Sequence, residues 1–432
     1  MRHVDAVGLW CALGYAALAV LARQPGEPEL PAFFLLVAWT GLPVFGLYLY
    51  FRRRGDPFPV GRLILWTVVF RLCGLAGGPF YEDDFYRYLW DAFRFATSGT
   101  PYGVAPEEFF VDPGVPAPFQ RVLDGINYPE LPTIYGPTTQ LVFLVGYWVQ
   151  PASVAALQAI LIAVDLVTVA LLLRLTSSAN VLLYAWCPLV VKEIAFTAHP
   201  DGAGVCLLLA AIVLARNRRW RNAAVCLGLA AGAKTFGLVL APLVLARARL
   251  GHWILFGATL AALYGPFVLL GGTDLTSLQV FAREWEFNSA LFGLAAAIVP
   301  RFEARLALGI LFAAWWGYYN SVYARSGAHE IPRGDWVYGA LLAASPVINP
   351  WYLLWLLPFA AIRPSVWAWT ASGAVLLSYV TGLNLQDYEM DPYAQPLWVR
   401  WLEFGLIAAG LGCDLVRRRG RGLGGRSDAA RG

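Results

Sequence analysis

The chain has 432 residues, of which 59% are hydrophobic and only 14% charged. Soluble domains carry about 25% charged residues, so a sizeable soluble domain is excluded. The net charge of +4 is no sign of nucleic-acid binding, because the arginines collect in short loops between apolar runs, where a membrane protein sets its orientation.

Apolar runs of spanning length recur from end to end and predict an all-α, polytopic membrane protein of about 12–14 membrane helices. The first run, after Met1-Arg2-His3, resembles a secretory signal, but PAFFLLVAWTGLPVFGLYLYF follows closely and favours a retained span. Spans are expected near 7–22, 31–51, 60–76, 153–175, 179–195, 200–216, 252–270, 304–324, 366–383 and 397–416. Two broken pairs, 222–233 with 236–247 and 335–346 with 351–362, complete the set. Residues 1–416 thus form one transmembrane domain, and 417–432 a disordered basic tail. The six cysteines lie singly in apolar segments, with no metal-ligand or disulfide spacing.

Arginine clusters at Arg52-Arg53-Arg54, Arg216 to Arg221, Arg247 with Arg249, Arg325 with Arg333, and from Arg417 place those loops and both termini in the cytoplasm. Segment 137–150 then must not cross, and at fourteen residues it reads as re-entrant or interfacial. Residues 77–152 become one external loop with juxtamembrane helices. From 77 to 135 it holds nine Asp or Glu and three Arg.

That loop opens on YEDDFYRYLWD, with Glu82, Asp83 and Asp84 directly after a span. Taken alone, the triplet fits either a solvated rim or carboxylates poised over a substrate. Helical spacing pairs Asp83 with Arg87 and sets Asp84, Arg87 or Tyr88, and Asp91 on one face. A nearby guanidinium keeps a carboxylate ionised, as a general base must be. Arg71, about two turns below, would find a partner among these carboxylates.

On this topology other polar features reach the same face: KEIAFTAHPDG with Lys192, Glu193, His199 and Asp201; AKTFG with Lys234; REWEFNS with Asn288; and SPVINPWYLLW with Asn349, Trp351 and Tyr352. Lys192 and Lys234 are the only lysines. A lysine at mid-span costs about 2.5–3.5 kcal/mol on insertion scales, so it usually faces a cavity and a partner. Broken helices at membrane depth likewise line cavities. His199 and Asp201 are too few for a metal site, and Trp351 and Tyr352 equally suit interface anchors.

EDDFYRYLWD, TPYGVAP and INYPELPTIYGP resemble the first external loop of polyprenyl-phosphate-dependent glycosyltransferases of the GT-C superfamily, most of all bacterial polyprenol-phosphate-mannose-dependent mannosyltransferases. LVVKEIAFTAHPD, AKTFG and SPVINPWYLLWLLPF match later landmarks in order. Two spans precede the acidic loop where many members have one, and Ala92 stands where glycine is more familiar. The resemblance implies inverting transfer of one sugar, mannose or another hexose, from a polyprenyl-phosphate donor to an acceptor hydroxyl at the external face of the cell (inner) membrane. The acceptor would be lipid-linked, glycan or protein. Asp83 or Asp84 would be the base. Arg71, Lys192 and Lys234 would hold phosphate, and Glu82, Arg87, Asp91, Tyr128, Glu130, Tyr135 and the later polar residues would line the site. No cofactor or metal is expected. A secondary transporter, or a polysaccharide polymerase or ligase acting on a lipid-linked substrate, are the other classes a polar membrane cavity admits.

Overall fold

A computed structural model describes residues 2–428, with side chains through Arg417. Among the described residues, five helices are long and apolar enough to cross a membrane: α1 (Arg2–Ala22), α2 (Leu30–Arg54), α3 (Val60–Gly77), α7 (Val154–Leu173) and α13 (Leu250–Leu269). A sixth crossing arises if α8 (Ser178–Ala185) and α9 (Pro188–Phe196) count as one span, bent by 50°. Pro188 opens α9, which finishes in a π turn over Val191–Phe196. The proline lacks the amide that would continue α8, so the bend falls there.

Between α3 and α7 the loop is itself folded. Helices α4 (Asp84–Ser98), α5 (Ala117–Asp124) and α6 (Pro137–Val149) follow one another. Leu89, Trp90 and Phe93 of α4 bury against Phe119, Val122 and Leu123 of α5, a small core separate from the main one. Gly99, at φ 79°, ends α4 in the left-handed conformation that glycine adopts without strain.

The rest of the chain is broken into shorter pieces around α10 (Asp201–Arg216), whose small residues are buried on almost every side. Helix α11 (Trp220–Ala233) stops at Lys234, and α12 (Phe236–Val244) restarts two residues later. After α13 come α14 (Leu275–Glu284), α15 (Leu291–Ala296), α16 (Arg301–Arg325) and α17 (Gly334–Ala344). A 3-10 turn over Pro350–Trp355 leads into α18 (Leu357–Ile362); α19 (Val366–Ala374) and α20 (Gly382–Leu385) follow. Thus the second broken pair is observed as expected. The final helix, α21, runs Leu397–Asp428. That helix takes in residues 417–428 of the basic tail. Residues 429–432 lie outside the described part. The main core collects residues from Val4 to Val399, so one packed unit spans nearly the whole chain.

Candidate active site

A cavity of about 740 Å³ opens where these breaks converge. It is lined by the α3–α4 junction, loop 127–136, the first residue of α10, the α11–α12 break, α14, residues 345–355 and residues 378–393.

The acidic triplet forms one wall. Just before it, Tyr81 takes φ 61°, and its amide donates to Glu27 Oε2 at 2.6 Å. Its hydroxyl donates to the Pro28 carbonyl at 2.5 Å, fixing the chain as it leaves α3. Asp83 is the N-cap of α4 (φ −124°, ψ 4°) and Asp84 its first helical residue. Asp83 Oδ1 accepts from the Asn127 side-chain amide at 2.5 Å. Asp84 Oδ2 accepts from the Tyr135 hydroxyl at 3.1 Å and from Tyr88 at 3.5 Å. Burial, reinforced by Asp84 alongside, pushes the Asp83 carboxyl up to about 6. Burial also raises Asp84, opposed chiefly by the bond from Tyr135. Glu82 rises well above the usual carboxylate range by burial, with Lys192 opposing. Three carboxylates sharing one desolvated wall cannot all ionise easily, which leaves proton acceptors poised near neutral pH.

The Asp83–Arg87 ion pair does not form. An N-cap residue lies off the helix surface, so the i,i+4 spacing does not bring Asp83 over Arg87. Instead Arg87 donates to the carbonyls of Leu131 at 2.8 Å, Tyr128 at 2.9 Å and Asn127 at 3.3 Å. Its guanidinium thus clamps the loop whose Asn127 holds Asp83.

Lys234 brings a cation to the wall formed by the α11–α12 break. Its ammonium meets Asp201 Oδ1 at 2.7 Å and stands 3.9 Å from the Tyr352 ring centre. Trp355 Nε1 donates to the same Asp201 oxygen at 2.7 Å. The break that exposes Lys234 depends on close packing. A Cβ on Gly136 would lie 2.3 Å from the Gly232 carbonyl oxygen, so only glycine lets the loop before α6 reach the end of α11.

Tyr128, Tyr135, Arg87, Asp201, Asn349, Trp351 and Tyr352 also line the cavity. Five expected residues form a layer behind it or beside it. Lys192 bonds the Tyr379 hydroxyl, which donates to Glu193 Oε1 at 2.9 Å; Tyr379 itself faces the cavity. His199 stacks on Trp351 at 3.9 Å and contacts the Tyr88 hydroxyl at 3.1 Å. Asp91 is buried, accepts from Thr133 and from Gln140 at 2.9 Å, and is pushed up to about 6 by burial. Asn288 donates to Glu403 at 2.9 Å.

Two others stand elsewhere. Glu130 is exposed and outside the lining. Arg71 is fully buried in the core, bonded to Asp165 at 2.9 and 2.7 Å and to the Ala185 carbonyl. Asp165, on α7, is the nearer carboxylate once α3 and α7 pack, so Arg71 does not reach the acidic triplet.

The sequence reading missed Asn127, Trp285, Tyr379 and Tyr393. Asn127 lies inside INYPEL, and its neighbour Tyr128 was singled out; Tyr379 and Tyr393 carry no local signal in the sequence. Among the described residues, no three His, Cys, Asp or Glu side chains converge as a metal site requires.

Residues 16–249, just over half of the chain, match the family model described as alpha-(1->6)-mannopyranosyltransferase, N-terminal domain. The match includes the acidic triplet, Arg87, Asn127, Asp201 and Lys234. No curated protein matches the chain.

Proposed function

Because the chain belongs to the alpha-(1->6)-mannopyranosyltransferase family, and is a multi-pass membrane glycosyltransferase of the GT-C type, we propose that it moves mannose from a polyprenyl-phosphate donor to a glycan acceptor. The observation that carries this reading is one cavity with the acidic triplet on one wall and Lys234 at a helix break on another.

The chemistry follows from that opposition. Asp83 accepts the proton of the acceptor hydroxyl as its oxygen attacks the anomeric carbon. The bond from that carbon to the phosphate oxygen breaks, and the departing polyprenyl phosphate meets Lys234. The first residues of α6, α10 and α12 also line or adjoin the cavity, and helix N-termini favour an anion. A preorganised cation in a desolvated site stabilises charge where it develops. Direct displacement inverts configuration, so an α product requires a β-linked donor. A 1→6 linkage requires the acceptor's primary hydroxyl as nucleophile.

The arginine clusters support an external cavity with cytoplasmic termini. Cysteines placed at 83 and 53, in a background without native cysteines, should label from opposite sides. The activity itself is tested in proteoliposomes holding β-mannosyl phosphoryl polyprenol and a soluble α-mannoside. A new α-(1→6) linkage by NMR is expected. Transfer from a nucleotide sugar but not from this lipid would overturn the donor assignment.

A further inference from the structure

We infer that Tyr128, Trp285 and Tyr393 form the acceptor subsite, a stacking platform for the terminal pyranose of the glycan. This rests on reading the cavity as the place of transfer.

The three rings come from loops far apart in sequence and meet at the cavity wall. Tyr128 and Trp285 have ring centres 4.5 Å apart, and Tyr128 and Tyr393 are stacked at 6.3 Å. All three line the cavity. Tyr128 and Tyr393 remain 38% and 44% exposed, so their apolar faces are not used up by the fold.

Tyr128 also takes φ 51°, a left-handed conformation that costs a non-glycine residue energy. Such strain persists only where the surroundings impose it. Here Arg87 grips the Tyr128 carbonyl at 2.9 Å together with those of Asn127 and Leu131. A charged residue is thus committed to holding one half-exposed ring in an unfavourable conformation. No core-packing need accounts for that, because the ring is not in the core.

The chemistry of the surroundings selects the occupant. A pyranose has an apolar C–H face and a hydroxyl edge. Tyrosine and tryptophan suit the first, with polar handles at their rims. Asn127 and Asp83, next along the wall, suit the second. A prenyl chain has no hydroxyl edge and would gain nothing from that amide and carboxylate. Because Asn127 precedes Tyr128 and bonds Asp83, a ring stacked on Tyr128 has its hydroxyl edge beside Asp83. The donor phosphate is left to Lys234 on the α11–α12 break.

The test is steady-state transfer by Trp285→Ala, Tyr128→Ala and Tyr393→Leu, varying a soluble α-(1→6)-linked mannotriose and the lipid donor separately. Each variant should raise the acceptor KM about tenfold, with the donor KM unchanged and Trp285→Phe restoring most of the loss. A raised donor KM with an unchanged acceptor KM would overturn the inference and assign the rings to the lipid tail. Unchanged constants for both substrates would equally overturn it. Saturation-transfer NMR of the mannotriose on wild type without donor separates the two levels of the account. Contact signals lost in Trp285→Ala support the platform even if the donor is misidentified. Transfer without any mannotriose contact leaves the activity standing and removes the platform.

Discussion

Asn127 donates its side-chain amide to Asp83 at 2.5 Å, joining the loop before α6 to the cap of α4. Arg87, the residue whose spacing promised a direct ion pair with Asp83, acts through this loop by gripping three of its carbonyls. The proposed base is therefore held by an amide, and Arg87 bonds carbonyls instead. That difference matters for catalysis, since a direct ion pair would lower its basicity whereas burial raises it.

Arg87→Lys should slow transfer by tenfold to about a hundredfold, because one ammonium cannot replace a fork spanning three carbonyls; a charged hydrogen bond is worth about 1.5–3 kcal/mol. Asn127→Ala should cost a similar factor. The double variant should lose little more than either one, since both act on the same loop. Fully multiplicative losses would show that Arg87 does not work through Asn127.

Lys234→Ala should raise the donor KM at least tenfold without altering expression strongly, as expected of a preorganised phosphate contact. Asp201 would lose its cation, though Trp355 still donates to it. Adding Asp201→Asn should recover stability and not donor affinity. An unchanged donor KM would remove Lys234 from the phosphate site.

Arg71→Ala should lower thermal stability by about 3–5 kcal/mol, because it strands the buried Asp165 carboxylate. Activity per folded molecule should stay near wild type, since Arg71 does not line the cavity. A kinetic defect with unchanged stability would return Arg71 to the site.

The pH dependence follows from Asp83. Its carboxyl, near 4 in an unfolded chain, is pushed up to about 6 in the fold. The folded state therefore binds this proton more readily, and the group's contribution to stability falls as pH rises from about 4 to 6. Activity has the opposite sign: kcat/KM should climb through pH about 6 and level above it. Asp83→Asn should abolish that limb. A profile flat from pH 5 to 8 would count against a carboxylate base in this wall.

Much of this arrangement was legible in the sequence. The broken helices at 233–236 and 345–350, the acidic loop and the cavity lysine all follow from what a lipid environment forbids. The partners were not legible. Asp165 lies 94 residues from Arg71, and Tyr379 lies 186 from Glu193, so no spacing rule links them. Helix periodicity also failed at Asp83, because the residue caps α4 and lies outside its surface. The aromatic wall was hidden for a similar reason. Tyr128, Trp285 and Tyr393 sit on separate loops and meet only when the whole chain has packed.

The most direct test is single-turnover transfer from β-mannosyl phosphoryl polyprenol by purified Asp83→Asn, Asp84→Asn and Glu82→Gln. The asparagine change keeps shape and removes proton acceptance, and general-base catalysis contributes about 10²–10⁴-fold. Asp83→Asn should lose a factor of that order with folding preserved. Asp84→Asn should lose less, since two phenols already hold its carboxylate, and Glu82→Gln least. Near wild-type transfer by both aspartate variants would contradict carboxylate catalysis in this cavity.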